Sequence, residues 1–498
     1  MVVQKVYLTT AIPFVNAEPH IGFALEIVQA DVWARYQRMC GNDVHFVTGT
    51  DENSLKNVQA AEKMGMSPRA LVDKYAASFQ NLKMLLNISI DDFIRTTEDR
   101  HIVAVKKLWL ASQHDIYEKE YEGLYCVGCE AFYKPDELEN GLCPEHKTKP
   151  ELVKEKNYFF RLSAYQDKLK DLIEHNTIRI IPESRKNEIL GFIAKGLEDF
   201  SVSRSFQRAR GWGIVVPHDP TQIIYVWYDA LTNYISAVGY GDNDHQMFDH
   251  WWPADYHFIG KGIIKFHALY WPAMLLSAGL ALPKNIFVHG YITIDGQKMS
   301  KSIGNVVTPA ELLARYDADA VRYYLLREVP STGDGDFSLA KFIERHNADL
   351  ANNLGNLVSR VTNLALPLKT LRGKASAETA QEIDRTWTLY RAAMEQMRFN
   401  EALEIVWKLL SFSNTAIEQQ KPWELAQSHK KQDRVRLEQF LFDQCVVIAN
   451  VAWLVAPFIP QTAEKMLFAL GVAKSSKDGW QDTGFSITQK AALFPRIA

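Results

Sequence analysis

The stretch from Val6 to Thr50 alternates in a way that few folds accept. "VYLTTAI" is an apolar, β-branched run that ends at Pro13, and from His20 to Met39 apolar residues return at helical spacing (Ile21, Leu25, Val28, Val32 and Tyr36). After Gly41 and Asn42 comes a second such run, "VHFVTGT". Strand, long helix and strand in that order form a βαβ unit, and the loop leaving the first strand is where an open parallel sheet places its ligand. Strand patterns return late in the chain, in "YHFIGK" and "NIFVHGYIT", on either side of the helical "KFHALYWPAMLLSAG". One sheet split by an insertion, from about residue 116 to about residue 225, accounts for that spacing. Beyond residue 340 strand patterns fade. In "DLANNLGNLVSRVTNLAL", Leu350, Leu354, Leu357, Val361 and Leu364 form one helical stripe, so an all-α bundle is expected there.

The 498 residues are 47% apolar and 23% charged, which excludes a disordered or fibrous chain and allows two or three domains with their own cores. The N-terminus "MVVQKVYLTTAIPF" lacks the basic-then-apolar pattern of a secretory signal. The longest apolar run, "CVVIANVAWLVAPFI", contains Asn450 and Pro457 and suits a buried helix better than a bilayer span, so a cytoplasmic location without membrane contact is expected. A net charge of −3 gives no global attraction to nucleic acid; RNA must be held by local patches, and no DNA partner is expected.

Three of the five cysteines are crowded together. "CVGCEAFYKPDELENGLCPEH" places Cys126 and Cys129 as Cys-x2-Cys, then thirteen residues, then Cys143 and His146 as Cys-x2-His. Three thiolates and one imidazole at that spacing make a closed tetrahedral Zn2+ site. A closed site has no open position for water, which assigns the metal to folding, where binding contributes roughly 10–16 kcal/mol.

Two loops carry the remaining polar signal. In "AIPFVNAEPHIGFALE", His20 opens a long helix, where unpaired N–H groups and the macrodipole favour a phosphate. In "DGQKMSKSIGN", Lys298, Ser300 and Lys301 lie on a segment flanked by Gly296 and Gly304. Neither of the common glycine-rich phosphate loops follows the first strand. Pro-x7-His-Ile-Gly on the first strand-to-helix loop, with Lys-Met-Ser-Lys-Ser after a late strand, resembles the two signature motifs of class I aminoacyl-tRNA synthetases. "QADVWARYQRM", "VTGTDENSLK", "IYVWYDAL", "FIGKGIIKFHALYWPAML", "FVHGYITIDGQKMSKSIGN" and "DADAVRYYLLRE" narrow the resemblance to the methionyl-tRNA synthetase family. The matches are dense to residue 340, and "NLGNLVSR" and "QKPWEL" continue them into the helical region.

The resemblance implies an α/β Rossmann-type catalytic domain in two halves, 1–115 and 226–340, a zinc-bearing connective insertion at 116–225, and a helical anticodon-binding domain at 341–498. It implies methionine, ATP with Mg2+, and initiator and elongator methionine tRNAs as partners, acting on a monomer that lacks a C-terminal dimerisation domain. Attack of a carboxylate on the α-phosphate builds negative charge, and a fixed donor stabilises it by about 3–4 kcal/mol. His20, Lys298 and Lys301 are the implied catalytic residues, with Lys301 foremost. Gly22, Gly260, Lys261 and Ser300 complete the implied ATP site. Where the family usually has a second histidine, this chain has Phe23, so stabilisation from that position is absent or comes from another group such as Lys261.

For methionine, the resemblance assigns Asp51 to the substrate ammonium and Ile12, Phe14, Trp227, Ala230, Leu231, Tyr234, Ile263 and His267 to the side chain. Aromatic walls suit a thioether at about 0.3–1.5 kcal/mol per sulfur contact. Leu231 stands where the family more often has proline. The insertion is too short for a separate editing domain, so any proofreading, for example of homocysteine, falls to the synthetic site. Asn356 and Arg360, four apart on one helix face, and Trp423 after Pro422 are the implied anticodon readers. Small nucleotidylyltransferases share related loops but lack the zinc insertion and a helical domain of this size. Cysteinyl-tRNA synthetase uses its zinc on the substrate thiol. A catalytically impaired, tRNA-binding paralogue is the reading that Phe23 supports.

Overall fold

The computed structural model describes residues 3–145, 147–299, 304–472 and 484–497. Strands β1 (Lys5–Thr10), β2 (Asp43–Thr50), β3 (Asp92–Arg95), β4 (Arg179–Ile181), β5 (Tyr256–Gly260) and β6 (Asn285–His289) form one sheet in the order β3-β2-β1-β5-β6-β4. Every pairing in it is parallel. The chain builds outward from β1 to β3 on one side, and β5 then pairs with the other edge of β1. The direction of winding thus reverses between β1 and β5, and the crevice beyond their carboxyl ends is the ligand position of such a Rossmann-type sheet. Side chains alternate across it: Leu8, Phe258 and Phe287 enter one apolar cluster, Tyr7, Ile259 and Val288 the other.

Helix α1 (Ile21–Met39) joins β1 to β2 and is buried on nearly every face, including Glu26, Gln29 and Asp31. Buried polar groups need partners, and each of these has one. Glu26 meets His289 at 2.8 Å, Gln29 donates to the Ser331 carbonyl at 3.0 Å, and Asp31 accepts from Arg35 at 2.8 Å and Arg322 at 2.7 Å.

The segment expected as an insertion is not wholly outside the sheet. Its first and last parts form a long antiparallel arm, Ile116–Cys126 against Glu151–Phe160, paired from Ile116↔Phe160 to Tyr125↔Glu151, with the cysteine-bearing loop at the tip. Between arm and return, β4 joins the edge of the main sheet, and helix Glu183–Ala194 packs beside it. A three-residue strand is too short to show periodicity, and the same holds for the four residues of β3.

Helices Asn356–Ala365, Ala377–Glu395, Phe399–Gln420, Lys431–Val455 and Pro460–Leu470 form the bundle. Lys431–Val455 has the length and apolarity to cross a membrane, yet 83% of its most apolar window is buried inside the protein. Its Asn450 accepts from Trp387 Nε1 at 2.8 Å and donates to the Val446 carbonyl at 2.9 Å. Of the expected leucine stripe, Leu350, Leu354, Leu357 and Val361 are buried. Leu364 is only half-buried, because it faces a cavity described below.

Arg322, on helix Ala318–Arg327, joins the two parts. Fully buried, it pairs with Asp31 of α1 and donates to the carbonyls of Phe458 at 2.7 Å, Pro457 at 2.9 Å and Leu86 at 3.1 Å. Removing one partner of a buried ion pair leaves the other uncompensated, at a cost of about 3–5 kcal/mol. Arg322→Met should therefore lower stability by about that amount, read as a drop in the thermal midpoint; an unchanged midpoint would mean that Asp31 finds other partners.

Candidate active site

Four loops converge at the carboxyl ends of β1, β2 and β5. His20 is the N-cap of α1, and its Nδ1 accepts the Gly22 amide at 3.1 Å, which leaves Nε2 as the protonated, donating nitrogen. A Cβ at position 22 would lie 2.9 Å from that ring, so glycine is required for the imidazole to fold over the helix start. The lysine-bearing loop reaches the same place. The Met299 methyl lies 3.9 Å from the position of that Cβ, and the Val307 carbonyl accepts the Ile21 amide at 2.9 Å. The Met299 methyl of the second signature stretch and the Val307 carbonyl just after it are therefore brought to the helix start that carries the first. Ser300, Lys301 and His146 lie outside the described residues.

Phe23 turns into the core, where its ring packs edge-on against Phe79 at 5.1 Å. Gly260 ends β5. Lys261, next in sequence, is ion-paired with Asp334 at 2.7 Å and sits over the Tyr291 ring at 4.6 Å. Lys298 is exposed and donates to the Glu145 carbonyl at 2.5 Å.

Asp51, just past β2, is bridged to Phe14 of the first loop. Its Oδ1 is buried and finds no partner among the described residues. Burial, and then the neighbouring Asp229 and Glu130 carboxylates, hold its pKa well above the usual aspartate range. That is a carboxylate short of a cation. Beside it, Ala230, Leu231, Tyr234 and His267 are buried, while Ile12, Phe14, Trp227 and Ile263 are half-buried and pack on the same cluster. Leu231 is thus accommodated as core. His267 Nδ1 donates to the Ile263 carbonyl at 2.9 Å, and its Nε2 accepts from Tyr234 at 2.7 Å. Burial pushes this imidazole down to about 4, so it stays neutral across physiological pH.

Sequence reading missed Phe266, which stacks on Trp227 at 3.8 Å with the rings 5° from parallel. The aromatic directly before His267 was the available signal. It also missed Asp229, held by Asn53 at 2.8 Å and His101 at 2.6 Å, whose contacts lie far apart in the chain.

The thiol sulfurs of Cys126, Cys129 and Cys143 lie within 4.8 Å of one another, with 3.4 Å between the last two. Metal–sulfur bonds of ~2.3 Å in a tetrahedron place sulfurs roughly 3.8 Å apart. The cluster fits a metal ion. Its loop also touches the pocket, since the Cys129 carbonyl accepts Trp227 Nε1 at 3.4 Å. On the bundle, Arg360, Leu364 and Trp423 line an open cavity of about 540 Å³ with Asn363, Ile417 and Glu418. Asn356 is exposed one turn earlier on the same helix as Arg360.

The family described as "tRNA synthetases class I (M)" matches residues 6–149 and 128–362, and "Anticodon binding domain of methionyl tRNA ligase" matches residues 366–492. The chain belongs to the methionyl-tRNA synthetase family. It is 44% identical to the methionine–tRNA ligase of Brucella suis over 94% of this chain and 92% of that protein. Against the methionine–tRNA ligase of Caldanaerobacter subterraneus the identity is 43%, over 99% of this chain and 78% of the relative. Among solved structures, Mycobacterium tuberculosis methionyl-tRNA synthetase in complex with methionyl-adenylate superposes with a TM-score of 0.95 at 40% identity, covering 99% of this chain and all of that one. The free form of that protein gives 0.87 at 38% identity, over 100% and 99% of the two chains.

Asp51→Asn should raise the methionine KM roughly 100-fold, the loss of a charged hydrogen bond of about 3 kcal/mol, while raising the melting temperature of the unliganded protein. The folded-state pKa lies above that of an unfolded aspartate, so this stability gain should be present at neutral pH and gone below about pH 4, where both states are protonated. A lower melting temperature at neutral pH would contradict the assignment.

Proposed function

We propose that the chain activates methionine with ATP and then charges methionine tRNA, working as a soluble cytoplasmic monomer. The observation that carries this reading is the cation-deficient Asp51 beside an aromatic and aliphatic pocket, at the switch point where Met299 and Val307 meet the start of α1. Asp51 takes the amino acid's ammonium. Trp227, Phe266, Tyr234 and the neutral His267 surround the thioether, and the methionine carboxylate is left facing the nucleotide loops.

In the first step a carboxylate oxygen attacks the α-phosphorus, the bond to the bridging oxygen breaks, and pyrophosphate leaves. His20 Nε2–H, Lys298 and Lys301 donate to the phosphate oxygens as their charge grows, with Lys261 in support. Mg2+ bound with ATP would supply positive charge against the leaving pyrophosphate oxygens. In the second step the ribose hydroxyl of the tRNA 3′ end attacks the carbonyl carbon and AMP leaves. Cys126, Cys129 and Cys143, with His146, would hold Zn2+, which would close the loop at the tip of the arm. The impaired-paralogue reading is not favoured, because the relatives matched over nearly the whole chain are methionine–tRNA ligases; the Phe23 ring itself packs against Phe79 and supplies no donor.

The test is pyrophosphate exchange with a panel of amino acids. Methionine should drive exchange best of the panel, and Lys301→Ala should slow it at least ~100-fold, as loss of a transition-state donor does; faster exchange with another amino acid would refute the substrate, and none at all would refute catalysis. For the bundle, single-stranded bases stack on aromatics at about 1–3 kcal/mol each. Trp423→Ala should therefore lower tRNA charging about tenfold or more and leave methionine-dependent exchange unchanged. Loss of both activities would assign Trp423 to folding instead.

A further inference from the structure

The cysteine-bearing loop touches the active site at two places. On the methionine side, the carbonyls of Gly128 and Cys129 accept from Lys56 at 3.5 Å and from Trp227 at 3.4 Å. On the nucleotide side the contact, among the described residues, runs through Glu145. Glu145, two positions after Cys143, accepts Lys298 on its carbonyl at 2.5 Å and the Tyr291 hydroxyl on its carboxylate at 3.4 Å.

Tyr291 is itself tied to the nucleotide loops. Its amide donates to Asp334 at 2.8 Å, the same carboxylate that pairs with Lys261, and the Lys261 ammonium lies over its ring. A Cβ at position 262 would fall 2.1 Å from its hydroxyl, so Gly262 is what lets the ring lie against the β5 loop. Lys261 and Lys298 are thus both placed through Glu145 or its partner, although they come from different strands' loops. A lysine on an exposed turn otherwise samples many rotamers, and fixing it before ATP arrives removes that entropic cost from binding.

We propose that Glu145 is a positioning residue for ATP, which fastens the metal-binding loop to Tyr291 and Lys298 and so couples metal binding at the cysteines to the nucleotide half of the site. The methionine half is held by Gly128 and Cys129 and is independent of Glu145. This rests on the methionine-activating reading, which wild-type pyrophosphate exchange tests separately.

The experiment uses the zinc-loaded full-length chain and compares Glu145→Ala, Glu145→Gln and Tyr291→Phe. Steady-state exchange gives the two KM values, backbone hydrogen exchange reports residues 291–299, and metal analysis reports zinc content. Glu145→Ala should raise the ATP KM about five- to tenfold, shift the methionine KM less than twofold, keep zinc, and speed hydrogen exchange at 291–299. Glu145→Gln, whose amide oxygen still accepts the Tyr291 proton, should stay within twofold of wild type. Tyr291→Phe should reproduce Glu145→Ala, and the double variant should add nothing further. Chelating the zinc from the wild-type protein should speed hydrogen exchange over the same residues. The proposal is overturned by an unchanged ATP KM in both single variants, by equal rises in the two KM values, by additive single effects, or by hydrogen exchange at 291–299 that ignores zinc removal.

Discussion

Helix α1 is the element that everything else is built around. It lies between the parallel sheet and the bundle with polar groups facing both, and its buried Glu26, Gln29 and Asp31 are each met by a partner from a distant part of the chain. Asp31 is the clearest case: buried with Arg322, it ties the helix to carbonyls at Pro457 and Phe458 that belong to the last bundle turn. A buried ion pair contributes little net stability against an apolar replacement but penalises any arrangement that separates its members. The pair therefore specifies how the bundle sits on the catalytic sheet. The same helix carries His20 as its N-cap, so the joint that fixes the bundle also fixes the loop between β1 and α1.

The arm and its cysteine loop solve a different problem. A two-stranded ribbon has little core of its own, and most of its cross-strand charge pairs, such as Glu118 with Lys156, are exposed and add little. The three thiols grouped at the tip are placed to take a metal ion, which would supply the missing stabilisation. The tip then folds back over the sheet, where backbone carbonyls at residues 128, 129 and 145 accept from Lys56, Trp227 and Lys298. Carbonyl acceptors make such contacts insensitive to side-chain identity in the loop, which is one reason that sequence alone did not reveal them.

What could be read from the sequence was whatever is periodic or carried by adjacent residues. β1, α1, β2, β5 and β6 follow from apolar spacing, and the approach of the two signature loops follows from both lying at strand ends of one parallel sheet. β3 and β4 are too short for a period to show. The expected insertion consequently overlooked that Arg179–Ile181 completes the sheet edge. Leu364 fitted the stripe on spacing but lies at the end of its helix, where it lines the Arg360 and Trp423 cavity instead of the core. Asp229 and Glu145 act through partners more than a hundred positions away, and no local pattern encodes that.

On the proposed assignment, the site divides recognition of its amino acid into two physically separate problems. Around Asp51 the protein leaves negative charge undercompensated, a cost in the empty protein that a bound ammonium offsets, so binding energy there depends on charge and reads only what all amino acids share. The Tyr234 hydroxyl and both His267 ring nitrogens are already satisfied by each other and by the Ile263 carbonyl. That arrangement offers a side chain no free charge, and a neutral imidazole whose pKa is near 4 keeps it so as pH varies. Discrimination among side chains must then come from shape and from the polarisable surfaces of the stacked Trp227 and Phe266, each worth little alone. Since one methylene is worth only roughly 1–3 kcal/mol in such a pocket, rejection of a near-isostere is weaker here than rejection of a charged or hydrogen-bonding side chain, which would bury an unpaired polar group against that closed network.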